Sequence, residues 1–92
     1  MDHLPPIAEE APWSDQVTAY DHAHLVLYVR LLDAEADGAD TDEIARIVLG
    51  VDPARDPDRA SRMLQSHMRR AHWMCEQGFR HLLNRSGRSA IH

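Results

Sequence analysis

The sequence predicts a small all-α domain built around one hydrophobic core. Apolar residues recur at helical spacing in three segments, and no segment alternates apolar and polar residues as a half-buried strand does. Side chains that can cap a helix precede each of these segments, and a glycine follows each. A chain of 92 residues suits a single core, because chains of this size bury only about 60% of their unfolded surface.

The composition is that of a soluble globular protein. Hydrophobic residues make up 43% of the chain and charged residues 27%, which disfavours both a disordered and a membrane-embedded protein. No apolar run approaches the roughly 18 residues of a spanning helix, and the first residues lack the features of a secretory signal. Cys75 is the single cysteine, which excludes an internal disulfide and fits a reducing compartment. We therefore expect a cytoplasmic protein.

The charge is divided between the two ends of the chain. Residues 1–58 carry fourteen acidic groups and three arginines, a net charge of −11. Residues 59–92 carry seven arginines and one glutamate, a net charge of +6. Binding to nucleic acid usually needs a basic contact surface, which only the C-terminal third could supply.

Residues 1–17 are predicted to form an extended or flexible N-terminal arm. They contain three prolines among small and acidic residues and show neither helical nor alternating periodicity. Ile7 and Trp13 either fasten this arm to the domain or face solvent.

The first helix is predicted to begin after Thr18 and to end near Asp37. Thr18 is the N-cap, and Asp21 at the third helical position completes a capping box. Gly38 then ends the helix in the left-handed conformation. The main apolar stripe consists of Leu25, Tyr28, Val29 and Leu32, and it is widened by Val26, Leu27 and Leu31. An apolar surface this wide predicts a central helix that other segments of the chain cover on more than one side.

Two further helices are predicted. The second begins near Asp40 and ends before Gly50, and the third begins with Asp56 as its cap and Pro57 as its first residue. The third helix runs to about Gln77. Its inner stripe consists of Ala60, Met63, Leu64, His67, Met68, Ala71, Met74 and Cys75.

The predicted domain spans residues 18–83, with a short closing turn or helix at residues 79–83 and a flexible tail at residues 84–92. Its core is predicted to consist of Leu25, Tyr28, Leu32, Ile44, Ile47, Val48, Leu64, Met68 and Phe79.

No catalytic, metal or cofactor site is predicted. His72 and Cys75 lie one helical turn apart, but no second pair of ligands completes a tetrahedral zinc site. His67 is predicted to be a core histidine that shares a hydrogen bond with a neighbouring helix. The carboxylates lie at helix starts and in turns, where capping explains them, and the glycines are isolated rather than grouped in a phosphate-binding loop. We therefore expect a protein that is not an enzyme.

The order of the helices resembles a helix-turn-helix unit in which the third helix holds the recognition position. Two features disfavour DNA reading. The connection after Gly50 exceeds the usual three or four residues. Asp56 and Asp58 would also enter the groove first, where carboxylates repel phosphates. The sequence therefore predicts weak or absent DNA binding.

The outer face of the third helix is a candidate partner-binding surface. Its residues are Arg59, Arg62, Ser66, Arg69 and Trp73, at intervals of 3, 4, 3 and 4, with Arg70 beside them. An arginine row is often only a solvated face, because exposed charges contribute little to folding. Trp73 favours an interface, since Trp and Arg are enriched in binding hot spots and a tryptophan on the polar side of a helix has no evident place in the core.

Five segments of the chain resemble a known family. They are TAYDHAHL (18–25), LLDA (31–34), ARIVLGVDP (45–53), SHMRRAHWM (66–74) and GFRHLL (78–83). The family is the bacterial domain of unknown function 2285, a helix-turn-helix variant found in regulators of conjugative elements. The resemblance covers residues 18–83, and this short acidic chain is similar to the stand-alone quorum-sensing antiactivators of the family.

The resemblance implies a function that residue spacing alone does not show. An antiactivator of this kind binds a LuxR-type activator of the TraR type, and an FseA-type activator that carries the same domain, so that transfer genes stay silent. The family often has an aromatic residue at the position of Thr41 and a basic one at that of Asp42, and these departures weaken DNA contact. It often has a tyrosine at the position of Phe79, a departure that does not affect the fold.

Two hypotheses from different classes therefore remain. The first is a monomeric antiactivator that binds other proteins, favoured by the net charge of −11 on residues 1–58. The second is a DNA-binding helix-turn-helix transcription factor, favoured by the helix order and by the net charge of +6 on residues 59–92.

Overall fold

The computed structural model describes residues 6–78, and this part of the chain contains four α-helices and no strand. The helices are α1 (Ala19–Ala23), α2 (Leu25–Ala36), α3 (Thr41–Ile44) and α4 (Pro57–Trp73). A π-helical turn, Ala45–Leu49, continues α3, and a second, Met74–Gly78, continues α4. These elements confirm the all-α prediction. The closing turn and the tail predicted for residues 79–92 lie outside the described residues.

Thr18 and Asp21 cap α1 as the sequence predicts. The Asp21 amide donates to Thr18 Oγ1 (3.1 Å), and the Thr18 amide donates to Asp21 Oδ2 (2.9 Å). Both bonds satisfy amides that have no partner within the helix. The capping box therefore orients Asp21 through contacts within its own helix.

His24 interrupts the single helix that the sequence predicts to follow Thr18. Its backbone lies outside helical geometry (φ −118°, ψ 24°), so α1 ends before it and α2 begins after it. Its imidazole stacks on Tyr20 with ring centroids 3.8 Å apart, and its Nε2 lies 2.9 Å from the Pro6 carbonyl oxygen. Helical periodicity in the sequence does not indicate contacts with a distant segment, such as that between His24 and Pro6.

Two glycines end helical segments in the left-handed conformation, which confirms the prediction for Gly38 and places Gly50 at the predicted end of the second helix. Gly38 follows α2 at φ 79°, and Gly50 follows the π turn of α3 at φ 73°. Glycine suits both positions because it has no Cβ to clash there. Pro57 occupies the first position of α4, also as predicted, but the Asp56 side chain makes no capping hydrogen bond. The predicted role of Asp56 as a side-chain cap is therefore wrong.

One core cluster joins α2, α3 and α4. It consists of Leu27, Leu31, Ile44, Ala45, Leu49, Val51, Ala60, Met63 and Leu64. Ile44 and Leu64 confirm the prediction, and Tyr28 is buried as predicted. No helix of residues 6–78 combines the length and the apolar character needed to cross a membrane.

Several predicted core residues are not buried. Leu25 and Ile47 are 44% and 64% exposed, and Cys75 at the end of the predicted inner stripe is exposed. Phe79 lies outside the described residues. The remaining three are half-buried: Leu32, Val48 and Met68. Val48 and Met68 pack against the core cluster, so their predicted place in the core is confirmed in part.

Two physical causes explain the errors at Leu25 and Cys75. α2 carries apolar residues around most of its circumference, so periodicity does not decide which side faces the core, and that side carries Leu27 and Leu31. The second cause is the π turn that begins at Met74, because a wider turn changes the helical phase. Cys75 consequently does not continue the inner stripe of α4.

Candidate nucleic-acid interface

α4 presents three different sides. The core side is buried and carries Ala60, Met63, Leu64, His67 and Ala71. The arm side faces the arm segment, which we define as residues 6–18, and carries Arg59, Ser66, Arg70 and Trp73. The outer side is exposed and carries Asp58, Ser61, Arg62, Gln65, Arg69 and His72. Their spacing of mostly three and four residues aligns these side chains along one face of the helix.

A buried ion pair joins α4 to α1. Arg70 Nη2 lies 2.6 Å from Asp21 Oδ2, and both side chains are fully buried. Arg70 Nε and the Tyr28 hydroxyl also donate to Asp21 Oδ1, at 3.0 Å and 2.8 Å. Burial by itself raises the pKa of the Asp21 carboxyl, but the hydrogen bonds from Arg70, the Thr18 amide and Tyr28 outweigh it and lower that pKa to about 2.

Arg70 also fastens the arm segment to α4. Its Nη1 donates to the Ser14 carbonyl (2.7 Å), and its Nη2 donates to the Gln16 carbonyl (2.9 Å). The guanidinium carbon lies 3.9 Å from the centroid of the Trp73 ring and 4.9 Å from that of the Trp13 ring. The two indoles meet edge to face, with centroids 6.0 Å apart. This arginine therefore has a structural role that joins three parts of the chain.

His67 connects the same arm segment to the core. Its Nδ1 donates to the Met63 carbonyl (2.8 Å), so its Nε2 is the acceptor for the Tyr20 hydroxyl (2.7 Å). The Tyr20 hydroxyl in turn accepts a hydrogen bond from the Ala8 amide (3.0 Å). Burial lowers the pKa of His67. The prediction of a core histidine that shares a hydrogen bond with another helix is confirmed.

The arm segment also covers the first half of the arm side of α4. Glu9 lies 3.1 Å from Arg59 and 3.6 Å from Arg62. The Ala11 amide donates to Ser66 Oγ (3.0 Å), and Ser66 is buried. The arm segment thus follows the helix from its first turn to Trp73.

The predicted partner-binding row is consequently split between two sides of α4. Ser66 and Arg70 are buried, so their predicted exposure is wrong. Trp73 is half-buried against Arg70, which supplies the structural explanation that the sequence did not offer. The other three residues keep exposed side chains: Arg59, Arg62 and Arg69. The predicted spacing of the row along α4 is correct. The sequence alone does not indicate that carbonyl oxygens of the arm segment accept hydrogen bonds from Arg70.

The outer side of α4 supplies side chains that can read bases, two of which the sequence analysis did not single out. Gln65 Nε2 donates to Ser61 Oγ (3.0 Å), and Arg69 follows Gln65 by one helical turn. Serine, glutamine and arginine are among the side chains that contact base edges in DNA. Beside them, an open groove of about 440 Å³ runs between α3 and α4, with Thr41 and Arg46 on its opposite wall.

Charge divides the outer side along its length. The start of α4 is acidic, because Asp56 and Asp58 are exposed there. Beyond the first turn the positive groups are Arg69 and Arg62, of which Arg62 lies 3.6 Å from Glu9 of the arm segment. At the far end His72 lies 2.7 Å from Glu35. The middle of α4 is therefore the part of this face that a polyanion can approach most favourably.

A metal centre has no basis in the part of the chain that is described. Among residues 6–78, no three histidine, cysteine, aspartate or glutamate side chains are grouped so that they could hold an ion.

A small all-α domain whose longest helix offers glutamine, serine and arginine to solvent fits a DNA-binding domain of a transcription factor. Residues 5–84 match the family model RovC_DNA-bd, described as a T6SS transcription factor DNA-binding domain. The chain belongs to this family. No curated protein matches the chain. Of the two hypotheses, the match favours the DNA-binding transcription factor, and it leaves conjugation, quorum sensing and the resemblance to domain 2285 as predictions.

Proposed function

We propose that this chain binds duplex DNA and reads it with the outer side of α4. The observation that carries the proposal is the exposed pair Gln65 and Arg69, one turn apart on the longest helix of a chain that belongs to a family of DNA-binding domains. Glutamine forms two hydrogen bonds with adenine and arginine two with guanine in the major groove.

The acidic start of α4 determines how the helix can approach the major groove of DNA. In many helix-turn-helix proteins the first residues of the recognition helix contact the bases. Asp56 and Asp58 disfavour that geometry here, because carboxylates repel the phosphates that flank the groove. We therefore place the middle of α4 opposite the bases. Arg46, across the groove between α3 and α4, is then available to contact a phosphate.

The test begins with selection of a binding duplex from a pool of random sequences by the 92-residue chain. Fluorescence anisotropy then measures the Kd of the selected duplex for each variant. Gln65→Ala and Arg69→Ala should each weaken binding about tenfold or more, since a bidentate base contact is worth about 1–3 kcal/mol. Arg46→Ala should reduce the slope of log Kd against the logarithm of the salt concentration. The reduction should correspond to the loss of about one phosphate contact.

Gln77→Ala is the matched control, because Gln77 is exposed but lies in the π turn beyond α4. It should leave the Kd unchanged. Failure to enrich any sequence would contradict the proposed function, as would Gln65→Ala and Arg69→Ala variants that bind as tightly as the Gln77→Ala control.

A second candidate function is antiactivation through contact with a LuxR-type or FseA-type activator. The observation that favours it is the cluster of exposed carboxylates at the start of α3, Asp40, Asp42 and Glu43, together with the family resemblance of residues 18–83. Asp42→Lys separates the two functions. It should strengthen DNA binding, because it removes a negative charge beside the groove between α3 and α4. It should weaken capture of an activator, measured in a pull-down with and without acyl-homoserine lactone.

A further inference from the structure

Glu9 of the arm segment pairs with two arginines in the first two turns of α4. Its Oε2 lies 3.1 Å from Arg59 Nε, and its Oε1 lies 3.6 Å from Arg62 Nη2. The exposed fractions of the side chains are 59% for Glu9, 44% for Arg59 and 48% for Arg62. Exposed ion pairs contribute little to folding. The two arginines can therefore exchange Glu9 for another anion at little cost to the fold.

Hydrogen bonds fix the backbone on both sides of Glu9. The Ala8 amide donates to the Tyr20 hydroxyl, and the Ala11 amide donates to Ser66 Oγ, each at 3.0 Å. Ser66 is itself buried on the arm side of α4. The fold therefore places the Glu9 carboxylate beside α4, and the position of this charge does not depend on the side-chain conformation alone.

The arginines that Glu9 contacts lie on one flank of the residues proposed to read bases. At 100° per residue, Arg62 lies about 20° around α4 from Arg69, and Arg59 lies about 80° from it. Arg46 lies on the other flank, across the groove that Ser61 lines, and Ser61 is about 160° from Arg59. A helix in the major groove has a phosphate backbone on each side. Both flanks of α4 therefore offer arginine where a phosphate backbone would run.

We propose that Arg59 and Arg62 bind phosphates of the DNA strand opposite the one that Arg46 contacts, and that Glu9 competes with those phosphates for the two arginines. This inference rests on the proposed DNA binding and adds a contact and an internal competitor to it. When DNA binds, the arginines exchange the carboxylate for phosphate oxygens, with which arginine forms charge-assisted hydrogen bonds. Glu9 thereby weakens binding to every duplex alike, because phosphate contacts carry no sequence information.

Glu9→Gln tests the competition, and Glu10→Gln is its matched control. Each variant removes one negative charge from an exposed position, but Glu10 forms no ion pair with the described residues. Fluorescence anisotropy at physiological salt measures the Kd for the selected duplex and for an unrelated one. Glu9→Gln should tighten both by about threefold or more, since two contacts are released. Glu10→Gln should tighten them by less than about twofold, because salt screens a charge beyond contact distance.

The salt dependence of binding identifies the exchange. DNA releases bound cations when arginines neutralise its phosphates, whereas the freed Glu9 carboxylate takes a cation up. Glu9→Gln should therefore steepen the slope of log Kd against the logarithm of the salt concentration by up to about one ion. Glu10→Gln should leave this slope unchanged.

Removal of both arginines tests whether Glu9 acts through them. Arg59→Ala combined with Arg62→Ala should weaken binding of both duplexes. In this background Glu9→Gln should improve the Kd no more than Glu10→Gln does. A gain from Glu9→Gln that persists without the arginines would mean that Glu9 repels DNA from a distance, and it would overturn the proposed exchange.

The outcomes separate this inference from the proposed function. Circular dichroism checks that each variant is folded. A chain that binds the selected duplex through Gln65 and Arg69, but with equal Kd values for Glu9→Gln and Glu10→Gln, would overturn the competition and leave the proposed function standing. A chain of which no variant binds any duplex would contradict the proposed function and this inference together.

Discussion

Arg70 and Asp21 form an ion pair of 2.6 Å in which both side chains are fully buried, although 49 residues separate them in the sequence. The pair holds α4 against α1, and Arg70 also binds two carbonyl groups of the arm segment. The orientation of α4, and therefore of its outer side, depends on this contact.

Removal of Arg70 should strongly destabilise the fold. Arg70→Met should lower the free energy of unfolding by about 3–5 kcal/mol, because it leaves the Asp21 carboxylate buried without its partner. Arg59→Met is the control, since Arg59 and Glu9 form an exposed pair, and such pairs contribute at most about 1 kcal/mol. Urea unfolding followed by circular dichroism measures both. Equal losses in the two variants would show that the Arg70 contact is not formed.

Leu31→Ala and Leu25→Ala test which side of α2 faces the core. Leu31 is fully buried, whereas Leu25 is 44% exposed. Leu31→Ala should cost about 2–5 kcal/mol of unfolding free energy, the range for emptying a buried leucine site. Leu25→Ala should cost far less, because much of the Leu25 side chain is already exposed. The reverse order, measured by the same urea titration, would mean that the helix faces the core with its other side.

Trp73→Ala should destabilise the domain, contrary to the expectation from sequence that this side chain serves only a partner. Its ring lies 3.9 Å from the Arg70 guanidinium carbon, and a desolvated cation–π contact is worth about 2 kcal/mol. Thermal unfolding of the variant should therefore show a lower Tm. Amide exchange of Gln16, which lies in the arm segment that Arg70 holds, should become faster. Unchanged exchange would indicate that the indole does not help to hold the arm.

Acid should weaken the fold in two stages. Burial lowers the pKa of His67 below its ordinary 6.5, so the unfolded chain takes up a proton there more readily, and the unfolding free energy falls as the pH drops below 6.5. The pKa of Asp21 is lowered from 3.8 to about 2, so its contribution is present above pH 3.8 and is lost as the pH falls towards 2. Urea titrations from pH 7 to pH 2 measure the profile. An unfolding free energy that stays constant over this range would contradict both assignments.

Local signals predicted the helix boundaries well. The Thr18 and Asp21 box, the left-handed glycines at 38 and 50, and Pro57 at the start of α4 each act through atoms within a few residues, so their sequence pattern determines the geometry. Helical periodicity did not predict the break at His24, whose imidazole stacks on Tyr20, four residues away, and contacts Pro6, 18 residues away.

Long-range contacts account for what the sequence did not predict at the candidate site. The row from Arg59 to Trp73 was correctly placed on one helix, but the burial of Ser66 and Arg70 depends on where the arm segment lies. Gln65 and Ser61 could have been found from the sequence, since they share a face with Arg69 at helical spacing.

Chemical-shift mapping measures directly whether the outer side of α4 contacts DNA. A ¹⁵N-labelled chain is titrated with the selected duplex, and amide and side-chain signals are followed residue by residue. The largest changes should occur at Ser61, Gln65 and Arg69, with little change at Asp21 in the buried ion pair. Changes concentrated at Asp40 to Glu43 instead, or no saturable change at any residue of α4, would contradict it.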